Sequence, residues 1–143
     1  MLYVIYDCMN KNSKIQKTEK EWKETLSSDE FCILRKKGTE PPFTGKYVHN
    51  KEKGVYTCAA CGNELFSSDV KFESGTGWPS FWETLSNDKV ELKTDTSHGM
   101  KRTEVVCSNC GGHLGHMFED GPQPTGLRYC INSAGLHFKK TKL

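Results

Sequence analysis

Two cysteine pairs are the residues whose spacing most directly predicts chemistry in this sequence. Cys58 and Cys61 form one CxxC pair, Cys107 and Cys110 form the other, and a glycine follows each pair. A turn of this kind directs both sulfurs at one point, and four thiolates suit a tetrahedral metal ion with no open position. The spacing therefore predicts one structural zinc ion per chain, although iron would suit the same four sulfurs.

The alternative interpretation of these pairs is two disulfides or two separate redox motifs. Disulfides are rare in a reducing cytosol, where paired CxxC motifs are more often metal sites. The long interval between the two pairs contains β-like segments, so a shared ion would join distant parts of one domain. Binding of that ion would then contribute directly to folding.

Cys130 lies in a strand-like run, Leu127–Asn132, whose residue types could support a nucleophile. Alternate residues of a strand share one face, so Arg128, Cys130 and Asn132 would point the same way. A neighbouring cation favours the thiolate, which is the nucleophilic form of cysteine. The run therefore predicts a reactive cysteine, and the alternative is a buried structural one.

Two histidines, His113 and His116, follow the second cysteine pair within a few residues. On a regular strand they would point to opposite faces, but the intervening Gly115 allows a bulge that could re-aim one of them. A histidine near a thiol can supply or accept protons at neutral pH. The alternatives are surface residues or additional metal ligands, and four thiolates already complete a zinc shell.

Trp78 is the third element with a predicted functional role. It lies in a loop next to Gly77, which would let the indole remain open to solvent. Together with Phe118 it could line a pocket for a small apolar group. The alternative is a core aromatic, which is the commonest position of tryptophan.

Short helices and a mainly β domain are the elements predicted to position these residues. Thr18 with Glu21, and Ser27 with Glu30, form capping-box patterns that each predict a helix, and Gly38 is a natural stop for the second. Strand-like runs alternate with glycine turns over the rest of the chain, which favours an antiparallel sandwich or barrel. These runs are Lys46–His49, Val55–Cys58, Val70–Glu73, Val90–Thr94, Arg102–Cys107 and Leu127–Asn132.

Length and charge restrict the classes of protein to which the chain could belong. Its 143 residues suit one domain, and we expect a loose arm at 1–17 followed by a single catalytic domain at 18–143. The net charge of +2 is too small to predict a nucleic-acid partner. No apolar run could span a membrane and no secretory signal is visible, so we expect a cytoplasmic protein. We also expect a monomer.

The motifs together resemble the B-type methionine sulfoxide reductases. The matching segments follow the family order from about Ser27 to Phe138. They are Gly38–Gly45, the two CxxC pairs, Ser74–Phe81, Arg102–Val105, His113–Pro122 and Thr125–Ala134. The resemblance implies two antiparallel sheets in a sandwich or open barrel, short N-terminal helices and a structural zinc site.

Site residues follow from the same resemblance. It implies that Cys130 is the catalytic cysteine and that Trp78 contacts the substrate methyl group. It also implies that the active site is lined by His113, His116, Arg128 and Asn132, and that zinc is held by Cys58, Cys61, Cys107 and Cys110. The implied substrate is the R epimer of methionine sulfoxide, free or in proteins. We expect His116 to be the principal acid and His113 to position the sulfoxide oxygen.

The sequence departs from the family at Thr76, where many members carry a resolving cysteine. Threonine cannot form a disulfide, so the usual internal recycling step is in doubt. Cys32 is then the first candidate for a resolving thiol and Cys8 the second. The other possibility is direct reduction of Cys130 by an external thiol, with thioredoxin as the expected reductant.

Two other classes of protein would explain part of the sequence. A zinc-ribbon module that binds nucleic acid or protein would explain the four paired cysteines, as would a catalytically inactive zinc fold. Neither gives a purpose to the histidine segment or to the run around Cys130, so an enzyme explains more of the sequence.

Overall fold

The computed structural model describes residues 18–141 of the chain. The expected arm at 1–17, with Cys8, lies outside the described residues. Helix α1 (Glu19–Thr25) and helix α2 (Ser28–Lys36) both begin with the predicted capping boxes. Neither of them, nor any other helix in the described part, has the length and apolar character needed to cross a membrane.

The end of α2 differs in one detail from the prediction. Lys37, not Gly38, adopts the left-handed conformation at the C-cap, with φ of 58°. Gly38 then donates its N–H to the carbonyl of Cys32 at 2.9 Å. A Cβ at Gly38 would lie only 2.7 Å from Cys32 Sγ, so close approach to that sulfur favours glycine there.

Within residues 18–141, nine strands form two antiparallel sheets, which confirms the predicted fold class. The strands are β1 (Gly54–Cys58), β2 (Glu64–Ser67), β3 (Lys71–Phe72), β4 (Ser80–Phe81), β5 (Val90–Asp95), β6 (Arg102–Cys107), β7 (His113–Phe118), β8 (Arg128–Ile131) and β9 (Leu136–Lys140). The smaller sheet has the order β2-β1-β9, and the larger has the order β3-β4-β8-β7-β6-β5.

The two sheets share one apolar core. Phe66 of the smaller sheet stacks on Phe81 of the larger one, with ring centroids 4.3 Å apart. Trp22 and Leu34 from the two helices are buried in the same cluster, and so is Ile131 of β8. Burial of a side chain of this size contributes about 1.5–3 kcal/mol, so the core fixes the sheets and helices relative to one another.

One predicted strand, Lys46–His49, is wrong, and another, Val70–Glu73, is shortened. Residues 46–49 form turns, because Val48 donates to the carbonyl of Gly45 and Asn50 to that of Tyr47. The run Val70–Glu73 contributes only the two-residue β3, since the preceding Ser68–Val70 is a 3-10 turn. The sequence patterns did not predict β2, β4, β7 and β9 as strands. β2 pairs with the adjacent β1, whereas β9 pairs with β1 and β4 with β8 across long stretches of sequence.

Candidate active site

Four cysteine sulfurs converge where the two sheets meet. The Sγ atoms of Cys58 and Cys110 are 3.7 Å apart, those of Cys61 and Cys107 are 3.6 Å apart, and all four lie within 4.8 Å of one another. A tetrahedral ion with metal–sulfur bonds of about 2.3 Å needs sulfurs about 3.8 Å apart. The cluster therefore fits a metal ion of that geometry.

Glycine turns shape both halves of this cluster. Gly62 and Gly111 have φ of 79° and 76°, which side chains with a Cβ rarely adopt. Their N–H groups donate to the carbonyls of Cys58 and Cys107, both at 2.8 Å. The second turn leads directly into β7, so the cluster anchors the strand that carries the two histidines.

The register of the larger sheet places Cys130 in a row of polar side chains. Cys130 pairs directly with His116 of β7 on one side and with Ser80 of β4 on the other. Glu104 of β6 pairs in turn with His116. Because directly opposed residues in antiparallel strands share a face, these four side chains lie on one side of the sheet.

A bulge in β7 brings His113 onto this same face. Val105 pairs with Gly115 and Val106 with His113, so Leu114 is the extra residue between them. The two imidazole rings are 5.4 Å apart in an edge-to-face arrangement. A Cβ at Gly115 would collide with the carbonyl of Cys130, so close approach of β8 also favours glycine here.

Each histidine is oriented by a buried carboxylate. Glu104 Oε2 accepts from His113 Nδ1 at 2.7 Å, and Asp95 Oδ2 accepts from His116 Nε2 at 2.8 Å. These bonds place a proton on His113 Nδ1 and on His116 Nε2, so the other ring nitrogen of each is available for chemistry. Lys37 lies 3.3 Å from Glu104 and balances its charge.

Electrostatics in this cluster follow from burial and pairing. Burial lowers the pKa of His113, and the hydrogen bond to Glu104 partly offsets that effect, so the ring is neutral at pH 7. The hydrogen bond from His116 holds the pKa of Asp95 well below its usual range. Asp95 was not singled out by the sequence, because only the pairing of β5 with β6 brings it near the histidines.

The Cys130 thiol is half-buried, and burial raises its pKa. The charge of Arg128 and a hydrogen-bonding interaction with the Thr76 hydroxyl lower the pKa of Cys130, whereas the charge of Glu40 raises it. Burial outweighs the others, so less thiolate exists at pH 7 than the few per cent of an unperturbed cysteine. The resting sulfur is therefore mainly a thiol that must ionise to act.

Arg128 is held in a fixed position beside Cys130. Its Nε and Nη2 atoms donate to the two carboxylate oxygens of Asp120 at 2.8 and 3.1 Å. The guanidinium carbon also lies 4.4 Å from the centroid of the Phe118 ring. Phe118 is thus placed at the site by its cation–π contact with Arg128.

Glu40 joins Trp78 and Asn132, although the sequence gave Glu40 no role. The Glu40 carbonyl accepts from Trp78 Nε1 at 2.9 Å, and its N–H donates to Asn132 Oδ1 at 3.1 Å. Its carboxylate accepts from the N–H groups of Ser133 and Ala134 at 2.8 and 3.0 Å. The only sequence signal for Glu40 was its place in the segment Gly38–Gly45.

Cys32 does not meet Cys130 in this arrangement. Cys32 is an exposed free thiol on α2, and it lines a cavity of about 550 Å³ together with Glu40 and Ser133. Cys130 is not among the residues that line this cavity. Leu34 of helix α2 is buried in the core. Ile131 reaches the same core from β8, on the face of that strand opposite to Cys130.

Residues 26–140 match the family model described as the SelR domain. The chain belongs to this family. Among its relatives, a protein of Methanosarcina barkeri named peptide methionine sulfoxide reductase MsrB is 66% identical, over 87% of this chain and 88% of that protein. A protein of the same name from Leptospira interrogans is 57% identical, over 90% of this chain and 98% of that protein.

Membership of the SelR family confirms the resemblance to the B-type methionine sulfoxide reductases, a family of oxidoreductases. The structure brings together the side chains of Cys130, His116, His113 and Arg128 on one face of the larger sheet. It ties Trp78 and Asn132 to each other through Glu40. Asn132 is buried, and its Nδ2 donates to the Leu114 carbonyl at 3.0 Å, so its amide also holds β7 against the end of β8.

Proposed function

We propose that this SelR-family protein reduces the R epimer of methionine sulfoxide, in proteins and as the free amino acid, with Cys130 as the nucleophile. The observation that carries the proposal is the direct pairing of Cys130 with His116 across β7 and β8. This pairing puts the one half-buried thiol of the larger sheet beside an imidazole whose tautomer is fixed by Asp95.

The reaction needs a thiolate and a proton donor at the same place. The Cys130 thiolate attacks the sulfoxide sulfur and a sulfur–sulfur bond forms. The oxygen takes two protons, one that came from the Cys130 thiol and one from solvent, and leaves as water. A second water molecule then attacks the Cys130 sulfur, the sulfur–sulfur bond breaks to release the methionine thioether, and the attacking water loses one proton to solvent. The sulfoxide gains two electrons and Cys130 becomes a sulfenic acid, which is a reversible oxidation state of cysteine.

The two histidines supply the acid–base chemistry. His116 takes the proton of the Cys130 thiol at Nδ1 and gives it to the departing oxygen. The free Nε2 of His113, which is neutral and held by Glu104, then accepts a hydrogen bond from the protonated oxygen and positions it. Groups placed in this way contribute about 10²–10⁴ in rate. Asn132 orients the bound substrate or water through the bonds by which it holds Glu40 and β7, and Arg128 favours the Cys130 thiolate by its charge.

Two half-buried aromatic side chains, Trp78 and Phe118, form the substrate-binding surface. The Trp78 indole is oriented by its bond to the Glu40 carbonyl, and Phe118 by the Arg128 guanidinium. An S-methyl group is small and apolar, so it is stabilised by contact with these rings more than by contact with water.

The metal of the four-cysteine cluster is a structural zinc ion in this proposal. Cys58, Cys61, Cys107 and Cys110 would hold it, and with four thiolates it has no open position for substrate. Its role is to fix the start of β7. The chemistry of Cys130 proceeds without it as a participant.

An external thiol, with thioredoxin as the expected reductant, restores the enzyme in the cytoplasm. One thiol of the reductant condenses with the sulfenic acid and releases water, and its second thiol then displaces Cys130 and closes a disulfide. The placement of Thr76 beside Cys130 and of Cys32 on α2 favours this direct route over an internal disulfide.

An epimer-resolved assay tests the proposed function. Purified protein with dithiothreitol is given each epimer of methionine sulfoxide separately, both as the free amino acid and within a peptide, and methionine is quantified. We expect turnover of the R epimer and none of the S epimer. Preference for the S epimer, or no methionine from either, would remove the proposal.

Recycling is tested by single substitutions at the two candidate resolving cysteines. We expect Cys32→Ser and Cys8→Ser each to keep wild-type turnover with thioredoxin and with dithiothreitol, because Cys130 is reduced directly. Loss of turnover with thioredoxin alone in one variant would identify that cysteine as a resolving thiol and refute direct reduction.

A further inference from the structure

Three hydroxyl groups form a chain beside Cys130. Thr76 Oγ1 and Ser74 Oγ are 2.8 Å apart, and Ser74 Oγ and Ser80 Oγ are 2.7 Å apart. Ser80 Oγ is also within 3.1 Å of the Trp78 carbonyl, which can only accept. At its other end is Thr76, whose side-chain hydrogen bonding lowers the pKa of Cys130, the residue that pairs with Ser80 across β4 and β8.

The local fold holds this chain firmly in place. Ser80 is fully buried and pairs with Cys130 across β4 and β8. Two backbone N–H groups donate into the chain, from Thr76 to Ser74 Oγ at 3.3 Å and from Trp78 to Thr76 Oγ1 at 3.4 Å. These backbone bonds leave each hydroxyl its own proton to donate along the chain in either direction.

The chain can adopt two hydrogen-bond patterns, and only the first keeps the bond from Ser80 to the Trp78 carbonyl. When Cys130 is a thiol, its proton points to Thr76, and the hydroxyls donate in turn toward Ser74, Ser80 and the Trp78 carbonyl. When Cys130 is a thiolate, the three hydroxyls rotate, so that Ser80 donates to Ser74, Ser74 to Thr76, and Thr76 to the sulfur.

We propose that Ser74, Thr76 and Ser80 are positioning residues that reverse their hydrogen bonds when Cys130 ionises and so stabilise the thiolate of the attacking sulfur. The inference rests on the proposed role of Cys130 and assigns a purpose to Thr76, where the sequence departs from the cysteine that the family resemblance implies. The hydroxyls rotate without breaking an O–H bond. When the S–H bond of Cys130 breaks, its proton passes to His116 in the proposed reduction and to solvent water in the absence of a substrate.

The other groups around Cys130 do not together favour its thiolate, so a hydrogen-bond donor to the sulfur is needed to stabilise it. Burial disfavours the thiolate, and the charge of Glu40 does so as well, whereas Arg128 on the same strand favours it. On β7, His116 faces Cys130 but directs its Nε2 proton to Asp95. A donor to a charged sulfur is among the stronger hydrogen bonds in proteins, so the Thr76 hydroxyl matters most once the sulfur is ionised.

The test is the pH dependence of Cys130 alkylation by iodoacetamide, followed by mass spectrometry of the Cys130 peptide. A Cys8→Ser, Cys32→Ser background removes competing thiols outside the metal cluster. We expect Thr76→Val, which has the same shape without the hydroxyl, to slow alkylation at pH 7.5 about tenfold and to move the profile to higher pH. Thr76→Ser should restore the wild-type profile.

Two further variants separate a hydroxyl chain from a local packing role. Ser74→Ala leaves Thr76 in place and should slow alkylation about twofold, because the Thr76 donor is less polarised. In the Thr76→Val protein the same change should have no further effect. Thr94→Val, on the exposed side of β5, is the matched control and should match the wild type.

An unchanged profile in Thr76→Val, or an equal loss in Thr76→Ser, would overturn the proposal. If Thr76→Val does not fold, Ser74→Ala decides the question, and the absence of a shift there would overturn it. Alkylation requires no sulfoxide, so these results are independent of whether Cys130 performs the proposed reduction.

Discussion

We expect turnover of methionine sulfoxide to fall to background when Cys130 is replaced by serine. A serine hydroxyl is a far weaker nucleophile than a thiolate and cannot take the oxidation state of a sulfenic acid. Loss of a nucleophile that acts together with its acid–base partners costs about 10⁴-fold or more in turnover. The measurement is the rate of methionine formation from the R epimer with dithiothreitol as reductant.

Cys32→Ser is the matched control for this substitution. It also exchanges one free thiol for a hydroxyl, but on the exposed side of α2 and not on the sheet that carries the histidines. We expect it to keep wild-type turnover, while both variants keep the wild-type melting temperature and metal content. Cys130→Ser protein that is folded and still reduces the sulfoxide at more than one tenth of the wild-type rate, about 1.4 kcal/mol in barrier, would contradict the role of Cys130.

We expect removal of a metal ion from the four-cysteine cluster to unfold the domain. Four-thiolate sites in small zinc peptides contribute about 10–16 kcal/mol at neutral pH, which equals or exceeds the whole stability of an ordinary domain. Cys58 and Cys61 border β1 and β2, whereas Cys107 and Cys110 border β6 and β7, so the ion joins both sheets. We expect a strong chelator, with the thiols kept reduced, to abolish the cooperative thermal transition.

The metal experiment has three readouts. Elemental analysis should give one zinc per chain and no iron, circular dichroism should show loss of β structure on chelation, and added zinc should restore it. Cys110→Ser should reproduce the chelated state, while Cys32→Ser, equally conservative, should not. Fully metal-free protein with an unchanged melting temperature would show that the cluster does not stabilise the fold.

Signals contained within a few residues were sufficient to predict several elements from the sequence. Thr18 with Glu21, and Ser27 with Glu30, are spaced for reciprocal bonds within one turn, and both capping boxes are present. The paired cysteines likewise carry their turn geometry locally. In contrast, residues 46–49 have strand-like composition but turn toward the core, where Tyr47 packs edge-on against Tyr56.

Relations between distant segments could not be predicted in the same way. The sequence indicated only that Gly115 would allow a bulge. The pairing of Gly115 with Val105 shows that Leu114 is the extra residue and that both histidines share a face. Asp95 and Glu40 lack a local pattern that marks them. They acquire their partners through strand register and through the path of the chain after α2.

The direction in which the pKa of Cys130 is shifted also could not be predicted from the sequence. The neighbouring Arg128 predicts a lowered pKa, and its charge does act in that direction. Burial is the larger effect and raises the pKa of Cys130, which depends on how β8 is covered by the rest of the fold. The thiolate is therefore generated for the reaction and is not the resting form.

Trapping of the oxidised sulfur tests the central claim most directly. Protein freed of reductant is mixed with one equivalent of the R epimer in the presence of dimedone, which reacts with sulfenic acids, and every cysteine peptide is analysed by mass spectrometry. We predict one methionine formed per chain and the adduct on Cys130. Methionine formed in that amount while Cys130 stays unmodified and reduced would contradict the account.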